Sequence, residues 1–176
     1  MRIYSIGHSN RSMDEFLNLL EEFEIRCVAD IRRFPGSRAF PHFGKDNLAK
    51  SLADRGIKYA WLEDLGGRRR SRSGSPSPNS GLENPGFRAY ADYMASDRFR
   101  HAARELMHLA SSSQTAYMCA EALYWRCHRR LLSDYLTASG LEVVHVLGLN
   151  QSVPHTMTQG AIPTENGGVA YPQPQS

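Results

Sequence analysis

The sequence predicts a single α/β domain, built on a mostly parallel sheet of about four to five strands flanked by helices. Short apolar runs typical of buried strands alternate about five times with segments whose apolar residues recur at helical spacing. The composition fits one globular domain, because the 176 residues are 41% hydrophobic and 22% charged. Residues 1–149 are expected to form this domain.

The first half of the chain supplies three predicted strands and two predicted helices. The strands cover residues 2–7, 26–32 and 57–62, each a short run rich in β-prone or apolar residues. Ser12 and Glu15 have the spacing of a capping box at the start of the first helix. The second helix covers residues 46–55 and ends at Gly56.

The second half continues the alternation and then changes in character. Asn84 and Pro85 start a helix, and a second helix follows it to about residue 110. Residues 116–119 and 141–147 are predicted strands, separated by a helix that ends at Gly140. Residues 150–176 are low in hydrophobic content and are expected to form a loosely ordered, low-complexity tail.

Composition narrows the class of protein. The net charge of +3 is mildly basic, which is compatible with an anionic small molecule or a nucleic acid as partner. Three cysteines are an odd number for a disulfide framework, and the N-terminal residues do not have the pattern of a secretory signal. We therefore expect a cytoplasmic protein with no membrane partner, and the sequence leaves the oligomeric state and any cofactor open.

Side chains suited to chemistry follow four of the predicted strands. The candidate catalytic residues are His8, Asp30, Cys119, Glu121, Cys127 and His128, and the candidate substrate-binding residues are Ser9, Arg32, Gly66, Gly67, Arg68 and Arg129. The carboxyl ends of parallel strands meet at one edge of a sheet, which is where ligands bind in open α/β folds. We therefore predict that these residues converge on one pocket.

The three thiols are expected to differ in reactivity. Cys27 lies mid-strand among apolar neighbours and is expected to be core. Cys127 is expected in the first turn of a helix, and Arg126, Arg129 and Arg130 lie nearby in sequence. The helix N-terminus and the positive charges of these arginines both favour a thiolate. The sequence therefore predicts the lowest thiol pKa at Cys127, although packing is an alternative role for it.

Several segments together resemble the domain-of-unknown-function 488 family. They are SIGHSN at 5–10, DIRRFP at 30–35, LGGRR at 65–69, FRAYADYM at 87–94, MCAE at 118–121 and CHR at 127–129. The resemblance spans residues 3 to about 146. It implies that a set of residues belongs to the family's signature, namely His8, Asp30, Arg32, Cys119, Glu121, Cys127, His128 and Arg129. A weaker segment adds His155, and the family name supplies no reaction.

The leading hypothesis is an enzyme, a hydrolase or transferase, acting on a phosphorylated or nucleic-acid-derived substrate. Arginines such as Arg32 would hold anionic groups, and a thiolate at Cys119 or Cys127 would be the nucleophile. His128 or Glu121 would move a proton. The chain lacks the Cys-x5-Arg spacing of cysteine phosphatases.

Two other functions stay open at this point. Zinc or iron could be bound by Cys119, Cys127 and His128, or by His8 with Glu121, although adjacent side chains on one helix point about 100° apart. A non-catalytic nucleic-acid-binding module could use the arginine-rich loop from Arg68 to Arg72.

Overall fold

A computed structural model describes residues 1–70 and 76–176, and it confirms the α/β class. Six strands form the main sheet, which is more than the four to five predicted. They are β1 (Arg2–Gly7), β2 (Cys27–Asp30), β3 (Lys58–Trp61), β4 (Thr115–Cys119), β5 (Glu142–Gly148) and β6 (Gln151–Pro154). Their order is β3-β2-β4-β1-β5-β6; the first five pair in parallel and β6 pairs with β5 in the antiparallel sense.

Five α-helices connect the strands. They are α1 (Met13–Glu22), α2 (Lys45–Ala53), α3 (Pro85–Tyr93), α4 (Asp97–Ser112) and α5 (Arg129–Ala138). The predicted cap of α1 is present, since the backbone N–H of Glu15 donates to the Ser12 hydroxyl at 3.1 Å. Asn84 caps α3 in the same way, with Pro85 at the first helical position.

The two faces of the sheet carry separate apolar cores. Alternate residues of a strand point to opposite faces, and β4 shows this directly. Ala116 and Met118 pack in the core covered by α1 and α2, whereas Tyr117 and Cys119 pack in the core covered by α3, α4 and α5. Because β4 is buried on both faces, it reads as a continuous apolar run rather than as an alternating pattern.

The C-terminal segment has more structure than its composition indicates. After β6, the strands β7 (Ile162–Thr164) and β8 (Gly168–Ala170) pair into a two-stranded sheet. Tyr171 is buried, and its hydroxyl donates to Asp134 of α5 at 2.8 Å. A few specific contacts of this kind hold a segment that is poor in apolar residues, which is why composition alone predicted a loose tail.

The strand order brings β1, β2 and β4 together in the middle of the sheet. The chain runs outward from β2 to β3 and then returns to place β4 between β2 and β1. Ligands bind outside the carboxyl ends of strands at such a reversal. In the described part of the chain, no helix combines the length and the apolar character needed to cross a membrane.

Candidate functional site

A cleft of about 960 Å³ lies at the carboxyl edge of the sheet. Nine of the twelve predicted site residues line it, namely His8, Ser9, Arg32, Gly67, Arg68, Cys119, Glu121, Cys127 and His128. Asp30, Gly66 and Arg129 do not line it. These three lie behind the wall of the cleft, where they hold the lining residues in position.

Arg129 is the largest fully buried side chain of the described residues, and it holds the end of β4. Its Nε donates to Sγ of Cys119 at 3.0 Å, and its Nη1 donates to the hydroxyl of Ser5 at 2.8 Å. Its Nη2 donates to the carbonyl oxygens of Glu121 and Ala122. The guanidinium therefore fixes both the thiol and the loop that follows it.

The charge of Arg129 has no carboxylate partner among the described residues. Residues 71–75, outside the described part of the chain, contain no Asp or Glu. Burial alone would lower the pKa of Arg129, but the sulfur atoms of Cys119 and Cys127 outweigh it and raise that pKa. A buried cation requires a compensating charge, and Cys119 is the ionisable side chain that Arg129 contacts.

Cys119 and Cys127 form a close pair of thiols with opposite pKa shifts. Their Sγ atoms lie 3.1 Å apart. Burial would raise the pKa of Cys119, but the hydrogen bond from the Cys127 thiol and the charge of Arg129 together lower it to about 7. The same hydrogen bond, with burial, raises the pKa of Cys127 well above its usual range. These shifts, with the hydrogen bond from the Arg129 side chain, favour the thiolate at Cys119 and the thiol at Cys127.

The expectation that Cys127 has the lowest thiol pKa is contradicted by these shifts. Cys127 ends a short 3₁₀ helix, Tyr124–Arg126, and α5 begins only at Arg129. Cys127 lies two residues before α5, and its sulfur is 3.1 Å from Sγ of Cys119 as well as 3.4 Å from the backbone N–H of Arg129. Three arginines lie near Cys127 in sequence, but nearness in sequence does not determine which sulfur atom a guanidinium contacts. The guanidinium of Arg129 donates to Sγ of Cys119 rather than to Sγ of Cys127.

Asp30 and Arg32 form a buried ion pair at the end of β2. Nε and Nη2 of Arg32 donate to the two carboxylate oxygens of Asp30 at 2.9 and 2.7 Å. The hydroxyl of Tyr59 also donates to Asp30, at 2.6 Å, and the backbone N–H of Arg32 does so at 3.1 Å. These contacts hold the side chain of Arg32, which lines the cleft, against the carboxylate of Asp30.

The two histidines of the cleft are neutral. Nδ1 of His8 donates to the carbonyl of Ser9 at 2.8 Å, which leaves Nε2 facing Nη1 of Arg32 at 3.4 Å. Burial lowers the pKa of His8 to about 4. Burial and the charge of Arg129 lower the pKa of His128 to about 3, and its Nδ1 lies 3.4 Å from Sγ of Cys127. Both rings present lone pairs rather than positive charge.

The rim of the cleft is strongly basic. Arg33 and Arg126, which were not among the predicted site residues, line it beside Arg32 and Arg68. Glu121 is the one acidic residue among the described residues that line the cleft. Arg33 directly follows a predicted site residue, so adjacency was a usable signal, whereas nothing in the sequence marks Arg126 as a lining residue.

Ser5 and Tyr59 were also missed, and both act behind the wall of the cleft. Ser5 is fully buried and accepts a hydrogen bond from Arg129, and Tyr59 donates to Asp30. A polar residue inside an otherwise apolar strand was the available signal for Ser5, because buried polar groups need partners. For Tyr59, only the pairing of β2 with β3 reveals the partner.

Three glycines allow close approach of the segments around the cleft. A Cβ at Gly7 would lie 1.9 Å from the carbonyl oxygen of Glu121. A Cβ at Gly67 would lie 2.9 Å from Nδ1 of His128, and one at Gly66 would lie 2.6 Å from the backbone of Arg33. Gly66 therefore allows close packing against Arg33. Gly67 lines the cleft and must lack a side chain, because a Cβ would collide with the ring of His128.

The arginine-rich loop predicted from Arg68 to Arg72 is described only as far as Arg70, and its last two residues lie outside the described residues. Arg68 lines the cleft and has a left-handed backbone, with φ of 57°. Arg69 turns away: its guanidinium carbon lies 3.9 Å from the centre of the Tyr93 ring, and its Nε donates to the carbonyl of Gly66. One of these arginines thus serves the cleft and another serves packing.

The donors proposed for a metal do not gather into a ligand set. Within residues 1–70 and 76–176, no group of three or more His, Cys, Asp or Glu side chains is placed to hold a metal ion. Cys119 and Cys127 instead satisfy each other and Arg129.

Comparison with known families gives one match. The family model described as "Domain of unknown function DUF488" matches residues 12–136 of the chain. This range covers β2, β3, β4 and most of α5, and it includes the thiol pair, Arg129 and the Asp30–Arg32 ion pair. No curated protein and no solved structure was found to match the chain.

Proposed function

The chain belongs to the DUF488 family, and from that premise we propose that it is a cysteine-dependent hydrolase or transferase acting on a phosphorylated or nucleic-acid-derived substrate. One observation carries this proposal. Cys119 lines the cleft, and its Sγ accepts a hydrogen bond from the buried guanidinium of Arg129 at 3.0 Å. A thiolate is the nucleophilic form of cysteine, and this pairing stabilises it near neutral pH.

The charge around the thiolate supports an anionic substrate. Four arginines and one glutamate are the charged residues that line the described cleft. Arg32 is fixed by Asp30 and is 7% exposed, so it offers a preoriented donor deep in the cleft. Arg33, Arg68 and Arg126 lie around it on the rim. Guanidinium groups bind phosphate oxygens in pairs, and a site lined in this way favours dianionic groups over neutral ones.

The proposed mechanism begins with attack of the Cys119 thiolate on an electrophilic centre of the bound substrate. A covalent thioester-like or thiophosphoryl-like intermediate forms at Sγ, and the leaving group departs. The Cys127 thiol, 3.1 Å from Sγ of Cys119, gives its proton to the departing group and regains one from the water or acceptor that next attacks. Water or an acceptor then takes the group from Cys119, and Arg129 stabilises the thiolate that is regenerated.

A turnover assay tests the proposal. Para-nitrophenyl phosphate and a panel of nucleoside mono- and diphosphates are incubated with the wild-type protein, Cys119→Ser and Cys27→Ala. We expect turnover with at least one of these compounds, loss of more than 100-fold in Cys119→Ser, and wild-type rates in Cys27→Ala, which alters a core thiol outside the cleft. Equal turnover in Cys119→Ser would overturn the proposal.

A binding assay tests the site without assuming a substrate. Inorganic phosphate and vanadate should slow alkylation of Cys119 by iodoacetamide, because an oxyanion held by Arg32 covers the thiolate. Arg32→Met should abolish this protection. If neither oxyanion protects Cys119 and no compound of the panel is turned over, the proposed class of substrate is wrong.

A nucleic-acid-binding module without catalysis is the alternative function, and the variants Arg33→Ala and Cys119→Ser distinguish it from an enzyme. The rim carries an exposed aromatic ring, Phe34, which is 63% exposed and lies beside the guanidinium of Arg33. If Arg33→Ala weakens binding of single-stranded DNA or RNA while Cys119→Ser leaves both binding and all cellular effects intact, a binding module explains the chain better than an enzyme does.

A further inference from the structure

The arrangement of the two thiols has more than one chemical use. A proton donor to a thiolate need not be a second thiol; a hydroxyl or an imidazole would serve. Here the donor is Cys127, and its sulfur lies 3.1 Å from that of Cys119. A disulfide bond is about 2.05 Å long, so a movement of about 1 Å would join the two sulfur atoms.

The same residue holds both sulfur atoms in place. The side chain of Arg129 donates to Cys119 at 3.0 Å, and its backbone N–H approaches Sγ of Cys127 at 3.4 Å. Both thiols line the cleft, and they are 4% and 7% exposed. A small reagent can therefore reach them only through the cleft, and the first sulfur to react already has the second beside it.

We propose that the Cys119–Cys127 pair is a site of two-electron oxidation that a hydroperoxide closes into an internal disulfide. This inference rests on the Cys119 thiolate of the proposed function and adds a redox reaction to it. The disulfide removes the nucleophile, so oxidation stops group transfer at this site and a dithiol reductant restores it.

The reaction balances in two steps. The Cys119 thiolate attacks one peroxide oxygen; an S–O bond forms, the O–O bond breaks, and the departing alkoxide or hydroxide takes a proton from solvent to give an alcohol or water. Sγ of Cys127 then attacks Sγ of the sulfenic acid; the S–S bond forms, the S–O bond breaks, and the hydroxide leaves with the Cys127 proton as water. The two sulfur atoms lose two electrons, and the hydroperoxide gains them.

The third cysteine provides an internal control. Cys27 is fully buried and pairs in register with Thr115, at the opposite end of β4 from Cys119. Burial raises the pKa of Cys27. It therefore lies away from the cleft and is expected to stay reduced under the same treatment.

The test is peptide mapping of the full-length reduced protein after brief treatment with hydrogen peroxide. Trypsin cleaves after Arg126 and so separates the two cysteines unless a disulfide joins their peptides. We expect a cross-linked pair of peptides lighter by two hydrogen atoms than its reduced parts, nearly complete loss of alkylation at both cysteines, and reversal by dithiothreitol. Cys27→Ala should behave as the wild type does.

The variant Cys127→Ser shows what the second thiol does. It keeps a hydroxyl donor beside Cys119 but cannot form the disulfide, so Cys119 should gain the mass of two oxygen atoms as an irreversible sulfinic acid. Wild-type protein in which Cys119 gains oxygen while Cys127 stays free, or in which disulfides form only between molecules, would overturn the inference.

Alkylation before oxidation separates this inference from the proposed function. If Cys119 is alkylated at neutral pH but no internal disulfide forms, the redox inference fails and the thiolate stands. If Cys119 resists alkylation while it is reduced, both the thiolate and the reactions built on it fail. The wild-type measurements decide these outcomes even if a variant does not fold.

Discussion

Nε of Arg129 lies 3.0 Å from Sγ of Cys119, and both side chains are buried at the end of the central strand β4. The guanidinium is held by helix α5 and reaches back across the loop that joins β4 to α5. This contact couples the stability of the fold to the reactivity of the site, because the same side chain organises the loop and stabilises the thiolate.

The first prediction concerns the order in which the thiols react. At pH 7, iodoacetamide should modify Cys119 first, Cys127 second and Cys27 last, because the pKa of Cys119 is lowered to about 7 while those of the other two are raised. The rate at Cys119 should rise with pH through a midpoint near 7, as the thiolate forms. Mass spectrometry of peptides after brief labelling measures both. Preferential labelling of Cys127 would contradict the assignment.

The second prediction isolates the contribution of Arg129. Arg129→Lys keeps the positive charge but cannot donate to Cys119, Ser5 and the loop carbonyls together. The pKa of Cys119 should rise, with a roughly tenfold fall in its alkylation rate at pH 7. Unfolding in urea should show a loss of about 2–4 kcal/mol, because buried acceptors lose their donors.

Arg126→Lys is the matched control for that change. Arg126 is exposed on the rim of the cleft and makes no hydrogen bond to either sulfur among the described contacts. It should leave both the Cys119 alkylation rate and the free energy of unfolding close to wild type. If both variants slow alkylation equally, the effect comes from general charge and the specific contact is unimportant.

The third prediction concerns the ion pair behind the cleft. Asp30→Asn should lower the free energy of unfolding by about 3–5 kcal/mol, because it leaves the buried guanidinium of Arg32 without a counter-charge. Glu142→Gln removes the same kind of bidentate pair at the surface, where the side chains of Arg2 and Glu142 are 51% and 55% exposed, and should have a much smaller effect. Urea unfolding of both variants gives the comparison, and similar losses in the two would argue against a buried pair at Asp30.

The fourth prediction is loss of stability in acid. His145 is a third buried histidine; it lies in β5, and its Nε2 is 2.9 Å from Nδ1 of His155. Burial lowers the folded-state pKa of His8 to about 4 and those of His128 and His145 to about 3, from an ordinary value of 6.5. Between pH 6.5 and these values the unfolded chain binds more protons than the folded chain does. The free energy of unfolding is therefore complete above pH 6.5 and falls as the pH is lowered, by about 1–2 kcal/mol per histidine at pH 5.

Urea unfolding at pH 7 and pH 5 measures this loss. His101 is exposed on α4, so His101→Ala should show the same difference between the two pH values as the wild type. Equal stability of the wild-type protein at pH 7 and pH 5 would show that the buried histidines are protonated without cost.

Much of the fold could be predicted from the sequence, because local signals carry it. Alternating short apolar runs and helical periodicities gave the α/β class, and Ser12 and Asn84 cap the helices that they were predicted to start. The sixth strand and the strands β7 and β8 could not be predicted in this way. Their residues are mostly exposed, and they are held by hairpin pairing, β6 with β5 and β7 with β8, rather than by an apolar pattern of their own.

The sequence by itself determined which residues come to the carboxyl edge of the sheet, since every parallel strand delivers its following residues there. Only the tertiary structure decided how those residues divide their roles. It buried Asp30 in an ion pair with Arg32, and it placed the guanidinium of Arg129 in contact with Cys119. It also raises the pKa of Cys127 and lowers that of Cys119. A pKa depends on burial and on contacts a few ångströms long, and neither burial nor contact is encoded by adjacency along the chain.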